Sequence, residues 1–230
     1  QIEVIICVSR AIEEIVKSSV RHPHKVMTIY SGIDLHRFRK YDGTSLRQKL
    51  QISTDAKLVG NVAALSPVKD YPTFLRVAEQ FKSESEKLKF LIIGDGSLKN
   101  ELESNIREKQ LDKVVTLTGF LPNINEILPQ LDIFLISSKM EGLGTSILDA
   151  FAAEVPVVAT KAGGIPEMIS NDINGLLADV GDSETLAKHI RKLLENENLG
   201  RELSKNAKST VQKFDWRIMC ESTLNVYRKT

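Results

Sequence analysis

The chain has 230 residues, of which 42% are hydrophobic and 27% are charged, so its composition is that of a globular protein and excludes a disordered one. Its 31 Lys and Arg residues nearly balance its 30 Asp and Glu residues, and the formal charge of +1 excludes a general attraction to nucleic acid or to an anionic membrane. The two cysteines, Cys7 and Cys220, have neither metal-ligand nor redox spacing, which indicates a cytosolic setting.

The first residues, "QIEVIICVSR", are typical of a strand that is already under way, so we expect the chain to be part of a longer protein. Short runs rich in Val and Ile then alternate with segments of helical periodicity, which predicts an α/β fold with a doubly wound, Rossmann-like parallel sheet. The predicted strands are 4–9, 25–31, 57–63, 89–94, 114–119, 132–138, 156–160 and 175–179. The predicted helices are 10–20, 44–50, 71–85, 97–109, 123–130 and 145–153.

The C-terminal third is predicted to be mostly helical. It opens with a helix cap at Asp182 or Ser183, and its helical pattern breaks near 198–200 and again at "KFDW". The polar stretch 18–25 is the best candidate for a domain boundary, and no apolar run approaches the ~20 residues that a membrane-spanning helix needs.

Glycines follow four of the predicted strands, in "GDGS" (Gly94, Gly96), "GF" (Gly119), "EGLG" (141–144) and "GG" (163–164). In a doubly wound sheet, ligands bind beyond the carboxyl ends of the strands, and glycine lets the backbone approach a ligand closely. Any one of these glycines could instead cap a helix or form a tight turn, whereas four such loops on one rim favour a binding site. "GDGSLK" lacks the third glycine of the dinucleotide fingerprint, and no P-loop is present.

Two acids flank the start of the predicted helix at Thr145. Its free N–H groups favour a phosphate, with Glu141 on the loop side and Asp149 about one turn, roughly 6 Å, down the helix. The arrangement suits a sugar, a diphosphate and a ribose in that order, and does not suit a glycosidase pair of carboxylates. The alternative is that Glu141 is a solvated loop acid and Asp149 a helix-surface charge. Lys69, on the loop after the 57–63 strand, is a candidate cation for the diphosphate or else a surface lysine.

These segments resemble the C-terminal, donor-binding half of the retaining glycosyltransferases of family 4, which have the GT-B fold. The resemblance covers nearly the whole chain. It is carried by "IICVSRAI", "VMTIYSGIDLHRF", "NVAALSPVKDY", "FLIIGDGSLKNEL", "VTLTGFLPN", "SSKMEGLGTSILDAFAAEVPVVATKAGGIPEMI", "NGLL" and "FDWRIMCESTLNVYRK".

The resemblance implies roles for particular residues. Glu141 corresponds to the acid beside the reacting carbon of the sugar, Asp149 to the ribose-binding acid and Lys69 to the diphosphate-binding lysine. The rest of the implied donor site consists of glycines and loop residues, namely Gly94, Gly96, Gly119, Phe120, Leu121, Gly142, Leu143, Gly144 and Thr145.

Two departures from the family pattern stand out. Ala64 occupies the place of the family's phosphate-binding arginine, for which Lys139 and Lys161 are the nearby substitutes, and Asp149 is one methylene shorter than the usual glutamate. Both departures concern the strength of donor binding.

The resemblance implies three parts: 1–24 as the end of an N-terminal domain and its linker, 25–213 as the nucleotide-sugar-binding domain, and 214–230 as a helix that returns toward the N-terminal domain. It implies an enzyme, a glycosyltransferase that moves a sugar from a nucleoside diphosphate sugar to an acceptor hydroxyl with retention, in polysaccharide, glycolipid or other glycoconjugate biosynthesis. The alternatives are a non-catalytic nucleotide-binding or scaffold domain of the same fold and a nucleotide-sugar epimerase, whose acid and base residues we do not find.

The implied partners are the nucleotide-sugar donor and a carbohydrate or lipid-linked acceptor that the absent N-terminal domain would hold. No cofactor, metal or nucleic acid is expected. We expect a cytoplasmic protein that is peripheral at the inner membrane face through its full-length form.

Overall fold

The computed structural model of the protein describes residues 3–38 and 45–229. The first residue of the helix predicted at 44–50 lies outside these ranges, as do residues 39–44 of the predicted 25–213 domain. The first two residues of the predicted 1–24 segment and the last residue of the predicted 214–230 segment lie outside them as well.

All eight predicted strands are present, each within one or a few residues of its predicted bounds. They are β1 (Ile5–Cys7), β2 (Val26–Thr28), β3 (Lys57–Val62), β4 (Leu88–Ile93), β5 (Val115–Gly119), β6 (Ile133–Ile136), β7 (Val157–Thr160) and β8 (Leu176–Ala178). Six of them form one parallel sheet in the order β5-β4-β3-β6-β7-β8, while β1 and β2 form a separate parallel pair. The predicted doubly wound α/β fold is therefore confirmed.

The order of the main sheet sets the position of a ligand crevice. The chain moves outward from β3 through β4 to β5, and then returns to pair β6 against the other side of β3. This reversal is the point at which open α/β sheets bind their ligands, beyond the carboxyl ends of the two central strands. The loops after β3 and β6 therefore border this crevice.

The helices are α1 (Arg10–Ser19), α2 (Ser45–Lys49), α3 (Tyr71–Glu79), α4 (Lys99–Glu108), α5 (Ile124–Ile127), α6 (Thr145–Ala152), α7 (Ile165–Met168), α8 (Ser183–Glu195), α9 (Glu197–Val211) and α10 (Trp216–Tyr227). The prediction of 71–85 as one helix is wrong, because α3 ends at Glu79 and a 3-10 turn follows at Lys82–Glu84. The prediction missed α7.

The break predicted near 198–200 lies earlier in the structure. Asn196 separates α8 from α9 and caps α9 by accepting a hydrogen bond from the Leu199 N–H, so 198–200 lies inside that helix. The predicted cap at Asp182 is confirmed, because its carboxylate accepts from the Thr185 N–H.

The sheet is buried on both faces, which explains why its strands are continuous apolar runs. One core cluster, which includes Leu91, Phe134 and Phe151, lies on one face, and a second, which includes Phe74, Phe90 and Leu186, lies on the other. Burial of these side chains fixes the strand ends, and with them the loops that follow.

The first strand–helix pair is joined to the rest of the structure by backbone contacts. β1 pairs with β2 across the polar stretch 18–25, with Ile5 opposite Val26. Near the other end of the chain, the Ile33 N–H donates to the Phe214 carbonyl and the Trp216 N–H donates to the Ile33 carbonyl. A Cβ on Gly32 would lie 2.6 Å from the Trp216 Cα, so glycine allows the two segments to touch.

Candidate functional site

The loop after β6 leads directly into the N-terminus of α6. Gly144 is the N-cap residue of α6 and has a φ of +86°, a left-handed conformation that favours glycine. No side chain caps the helix. The Ile147 N–H donates to the Gly144 carbonyl, which leaves the N–H groups of Thr145 and Ser146 for a ligand. Thr145 is exposed there, and the positive end of the helix dipole favours an anion at this position.

Lys69 and Glu141 form an ion pair across the crevice between β3 and β6. Lys69 ends a short 3-10 turn after β3, and its Nζ lies 2.6 Å from Oε1 of Glu141. The Glu141 side chain is only 9% exposed and that of Lys69 is 20% exposed. The alternatives of a solvated loop acid and a surface lysine are therefore wrong, because both groups are largely withdrawn from water.

A cavity of about 330 Å³ opens beside this pair. Its volume lies at the lower end of the range of about 300–1,000 Å³ that is typical of small-molecule sites. Five predicted site residues line it, namely Lys69, Glu141, Leu143, Gly144 and Thr145. The other lining residues, which the sequence analysis missed, are Val8, Ser31, Val62, Ala63 and Ser146.

The turn between β1 and α1 forms part of this wall. Ser9 is fully buried and its hydroxyl donates to the carbonyl of Gly142, 2.5 Å away. The carboxylate of Glu167 accepts from the N–H groups of Arg10 and Ala11 at the start of α1, each at 2.9 Å. The Tyr30 hydroxyl donates to the same carboxylate, so Glu167 holds both the start of α1 and the segment after β2.

Asp149 lies on α6 and does not line the cavity beside Glu141. Its carboxylate pairs with Arg37, which lies 2.5 Å from Oδ1, and its side chain is 14% exposed. Burial raises the pKa of Asp149 above its ordinary value of 3.8, and the charge of Arg37 opposes that rise. The alternative of a helix-surface charge is wrong, and sequence reasoning missed Arg37 because nothing in "GIDLHRF" indicates its partner.

The glycines after β4 have a structural role of their own. A Cβ on Gly94 would lie 1.9 Å from the Ala63 carbonyl oxygen, and one on Gly96 would lie 2.6 Å from the Leu65 carbonyl oxygen. Both glycines therefore let the β4 loop pack on the loop that follows β3 and leads to Lys69. They do not line the cavity beside Glu141.

The predicted residues at the end of β5 and just after it lie next along the same edge of the sheet. Gly119 has a φ of +72° and open space around its missing Cβ, Phe120 is 73% exposed and Leu121 is buried in the core. None of the three lines the cavity beside Glu141.

Two buried polar side chains, Tyr71 and Asn61, lie near the Lys69–Glu141 pair. Tyr71 is 1% exposed, and its hydroxyl lies within hydrogen-bond distance of Asn61 Oδ1 and of the Ala64 carbonyl. Burial raises the pKa of the Tyr71 hydroxyl, and the negative charge of Glu141 adds to that effect. Tyr71 therefore stays protonated and acts as a donor.

Lys139 and Lys161, the candidate replacements for the family's arginine, both lie outside the cavity beside Glu141. Lys161 pairs with Asp179 at 2.9 Å, and Lys139 is exposed. Neither lines the cavity, and Ala64 is itself exposed on the loop between β3 and Lys69.

Among the described residues, His, Cys, Asp and Glu side chains do not gather into a group of three that could hold a metal ion. Within 3–38 and 45–229, no helix has the length and apolar character that a bilayer span requires.

A larger cavity of about 530 Å³ lies at the amino edge of the sheet between Lys57 and Ser204, and no predicted site residue lines it.

Comparison with known proteins is consistent with this geometry. The model of the family described as "Glycosyl transferases group 1" matches residues 42–210. The chain is 28% identical over 211 residues to N-acetyl-alpha-D-glucosaminyl L-malate synthase of Bacillus anthracis, covering 92% of this chain and 55% of the relative. It is 30% identical over 181 residues to the amylovoran biosynthesis glycosyltransferase AmsK of Erwinia amylovora, covering 75% of this chain and 43% of AmsK.

Among solved structures, HepE of Anabaena, determined in complex with UDP and glucose, superposes with a TM-score of 0.91 at 24% identity, covering 99% of this chain and 63% of HepE. That likeness confirms the fold. The chain spans about half the length of the curated relatives it matches.

Proposed function

Because the chain belongs to the group 1 glycosyl transferases, we propose that it binds a nucleoside diphosphate sugar beside Glu141 and supplies the donor site of a glycosyltransferase. The reaction we propose is transfer of the sugar to an acceptor hydroxyl with retention of configuration. The observation that carries the proposal is the buried Lys69–Glu141 pair, which lies in one cavity with the uncapped start of α6.

Each part of this cavity suits one part of the donor. The free N–H groups of α6 and the ammonium group of Lys69 suit a diphosphate, since both act on negative charge at a site partly withdrawn from water. The carboxylate of Glu141 suits the hydroxyl groups of a sugar, to which it can only accept hydrogen bonds. A diphosphate and a sugar are adjacent in a nucleotide sugar, as these groups are in the cavity.

The same groups suit the chemical step. When the bond between sugar and diphosphate breaks, negative charge grows on the departing phosphate, and groups already aimed at that position stabilise it. Lys69 and the α6 N-terminus would fill this role, and the proposal requires no metal ion or cofactor. Asp149 is proposed to bind the ribose, for which its carboxylate would have to turn from Arg37 or share that partner.

We propose that the acceptor, a carbohydrate or lipid-linked molecule, is bound by another part of the full-length protein. The relatives are about twice as long as the matched region, which leaves room for such a part. HepE was solved with UDP and glucose, and AmsK is named for amylovoran biosynthesis, which supports a donor of this class and a role in making a glycoconjugate.

The proposal is tested by calorimetric titration of this chain with uridine, guanosine and adenosine diphosphates and with their sugar conjugates. We expect saturable binding of one nucleoside diphosphate in the micromolar to millimolar range, about 4 to 8 kcal/mol. We also expect no sugar transfer by this chain alone, because transfer needs an acceptor held against the sugar and water kept out. Failure of all three nucleotides to bind would overturn the proposal in favour of a scaffold domain.

A further inference from the structure

Two adjacent serines follow β6, and each hydroxyl reaches a different half of the Lys69–Glu141 pair. Ser137 and Ser138 are both 1% exposed, although they are polar and follow directly from a buried strand. Successive side chains of an extended segment point to opposite sides. Neighbouring positions can therefore serve two different partners.

The Ser137 hydroxyl belongs to the lysine side of the pair. It lies 3.0 Å from the Lys69 carbonyl oxygen and 3.2 Å from that of Asp70, and donates to this pair of acceptors. Asp70 has a left-handed backbone, with φ of +49°, at the point where the chain turns into α3. The hydroxyl thus fastens the backbone of a tight turn whose shape sets where the Lys69 side chain begins.

The Ser138 hydroxyl belongs to the glutamate side. It donates to Oε1 of Glu141 at 2.7 Å, and the backbone of Ser138 is itself held because the Thr160 hydroxyl donates to its carbonyl at 2.5 Å. Lys69 contacts the same oxygen of Glu141. Within the described residues, both donors to this carboxylate therefore reach Oε1, and Oε2 is left to accept from a ligand.

This division matters most when a diphosphate binds. The ammonium group of Lys69 has to turn toward the phosphates and so releases Glu141, after which Ser138 is the remaining partner of Oε1. A carboxylate without that partner would rotate toward water or toward Lys69, away from the sugar. A hydrogen bond from a buried, fixed hydroxyl prevents this rotation at little entropic cost, because the serine is already ordered.

We propose that Ser137 and Ser138 are positioning residues with separate tasks: Ser137 places Lys69 for the diphosphate, and Ser138 holds Glu141 with Oε2 directed at the donor sugar. The inference rests on the proposed function of the cavity. It assigns one step of donor recognition to each serine, and neither serine has to touch the donor.

The test compares uridine, UDP and UDP-glucose binding by this chain and its variants. In Ser137→Ala we expect the gain in affinity from uridine to UDP to fall at least threefold, while the gain in affinity from UDP to UDP-glucose is kept. In Ser138→Ala we expect the reverse pattern, a loss of at least fivefold in the gain from UDP to UDP-glucose, with rescue by Ser138→Thr. Ser104→Ala, a half-buried serine on α4 that does not line the cavity, is the control and should match the wild type.

If either variant lost both gains in affinity together, the proposal would be overturned, since a merely structural role would disturb the binding of diphosphate and of sugar alike. Failure of Ser138→Thr to restore the gain in affinity from UDP to UDP-glucose would overturn it as well. A second measurement needs no ligand. In crystals of Lys69→Ala the Glu141 carboxylate should keep its position, and in Lys69→Ala combined with Ser138→Ala it should turn away. An unmoved carboxylate in the double variant would overturn the role of Ser138. Failure of uridine, guanosine and adenosine diphosphates all to bind to the wild type counts instead against the proposed function, and leaves this crystallographic comparison to decide.

Discussion

Oε1 of Glu141 lies 2.6 Å from Nζ of Lys69, although the two residues are 72 positions apart in the chain. They meet because β3 and β6 are neighbours in the sheet, so that the loops after these strands face each other across the crevice. The cation proposed for the diphosphate and the acid proposed for the sugar are therefore partners of each other. Donor binding has to exchange this contact for contacts to the ligand.

The first prediction concerns Lys69→Ala. Because the ammonium group is the cation that lines the cavity, we expect this variant to weaken UDP by about 1.5–3 kcal/mol, roughly ten- to a hundredfold, and to leave uridine unchanged. Calorimetry with both ligands measures the difference. Lys139→Ala is the matched control, since Lys139 is an exposed lysine that does not line the cavity. Equal losses for UDP and uridine would show that Lys69 acts on the structure of the loop.

The second prediction concerns Glu141→Gln, which removes the charge and keeps the shape. Lys69 then loses the carboxylate that competes with phosphate, so UDP should bind at least as tightly as it does to the wild type. UDP-glucose should lose its advantage over UDP, because a neutral amide is a weaker acceptor than a carboxylate for sugar hydroxyls. A variant that binds UDP more weakly than the wild type would contradict the proposed competition.

The third prediction concerns the pH dependence contributed by Asp149. Burial raises the folded-state pKa of this carboxyl above 3.8, so its ionisation costs stability in the folded protein. Its favourable contribution is fully present below pH 3.8 and is lost as the pH rises through the raised pKa. Asp149→Asn should therefore be more stable than the wild type at pH 7, and the difference should shrink toward zero below pH 3.8.

Thermal unfolding of both proteins across this pH range measures the effect. Asp179→Asn is the control, because the Asp179 side chain is 77% exposed and should show no comparable trend. A stability difference between Asp149→Asn and the wild type that does not change with pH would contradict the prediction.

The fourth prediction compares two glycines that both have left-handed backbones. A Cβ on Gly163 would lie 1.8 Å from the Glu141 carbonyl oxygen, whereas one on Gly181 would meet nothing within 4 Å. Gly181→Ala should cost about 1–2 kcal/mol from backbone strain alone. Gly163→Ala should cost about 2–5 kcal/mol, since overpacking adds about 1–3 kcal/mol, and it alone should impair donor binding by shifting Glu141. Urea unfolding gives both values, and equal losses would mean that the loop yields freely.

The fifth prediction concerns Glu167, which holds the start of α1 and the Tyr30 hydroxyl. Glu167→Ala leaves these donors without their acceptor, so amide hydrogens in α1 should exchange faster, while those in β3 and β4 stay protected. Hydrogen exchange measures this difference directly. Glu14→Ala, an exposed change on α1, is the control. Unchanged amide hydrogen exchange in α1 would show that the contacts of Val8 and Ser9 hold α1 in place without Glu167.

The sequence alone determined the elements and the identity of the loops that form the site. Parallel strands buried on both faces must be apolar runs, so all eight strands could be located, and the start of α6 at Thr145 follows from the glycines before it. Lys69, Glu141 and the 141–145 loop could be selected as candidates because ligands bind where strands end. Less well predicted were helix ends, as at α3, which ends at Glu79 although its helical pattern runs on to residue 85.

Only the tertiary structure decided which of these residues meet. The pairs Lys69–Glu141 and Arg37–Asp149, the Ser9 bond to Gly142 and the hydrogen bonds that Glu167 accepts all join residues far apart in the chain. No local pattern encodes them, because they depend on the order of strands in the sheet and on β1 pairing with β2 beside it. Burial likewise comes from all neighbours together, and that is why Glu141 and Asp149, which in the sequence are indistinguishable from surface acids, prove to be withdrawn from water.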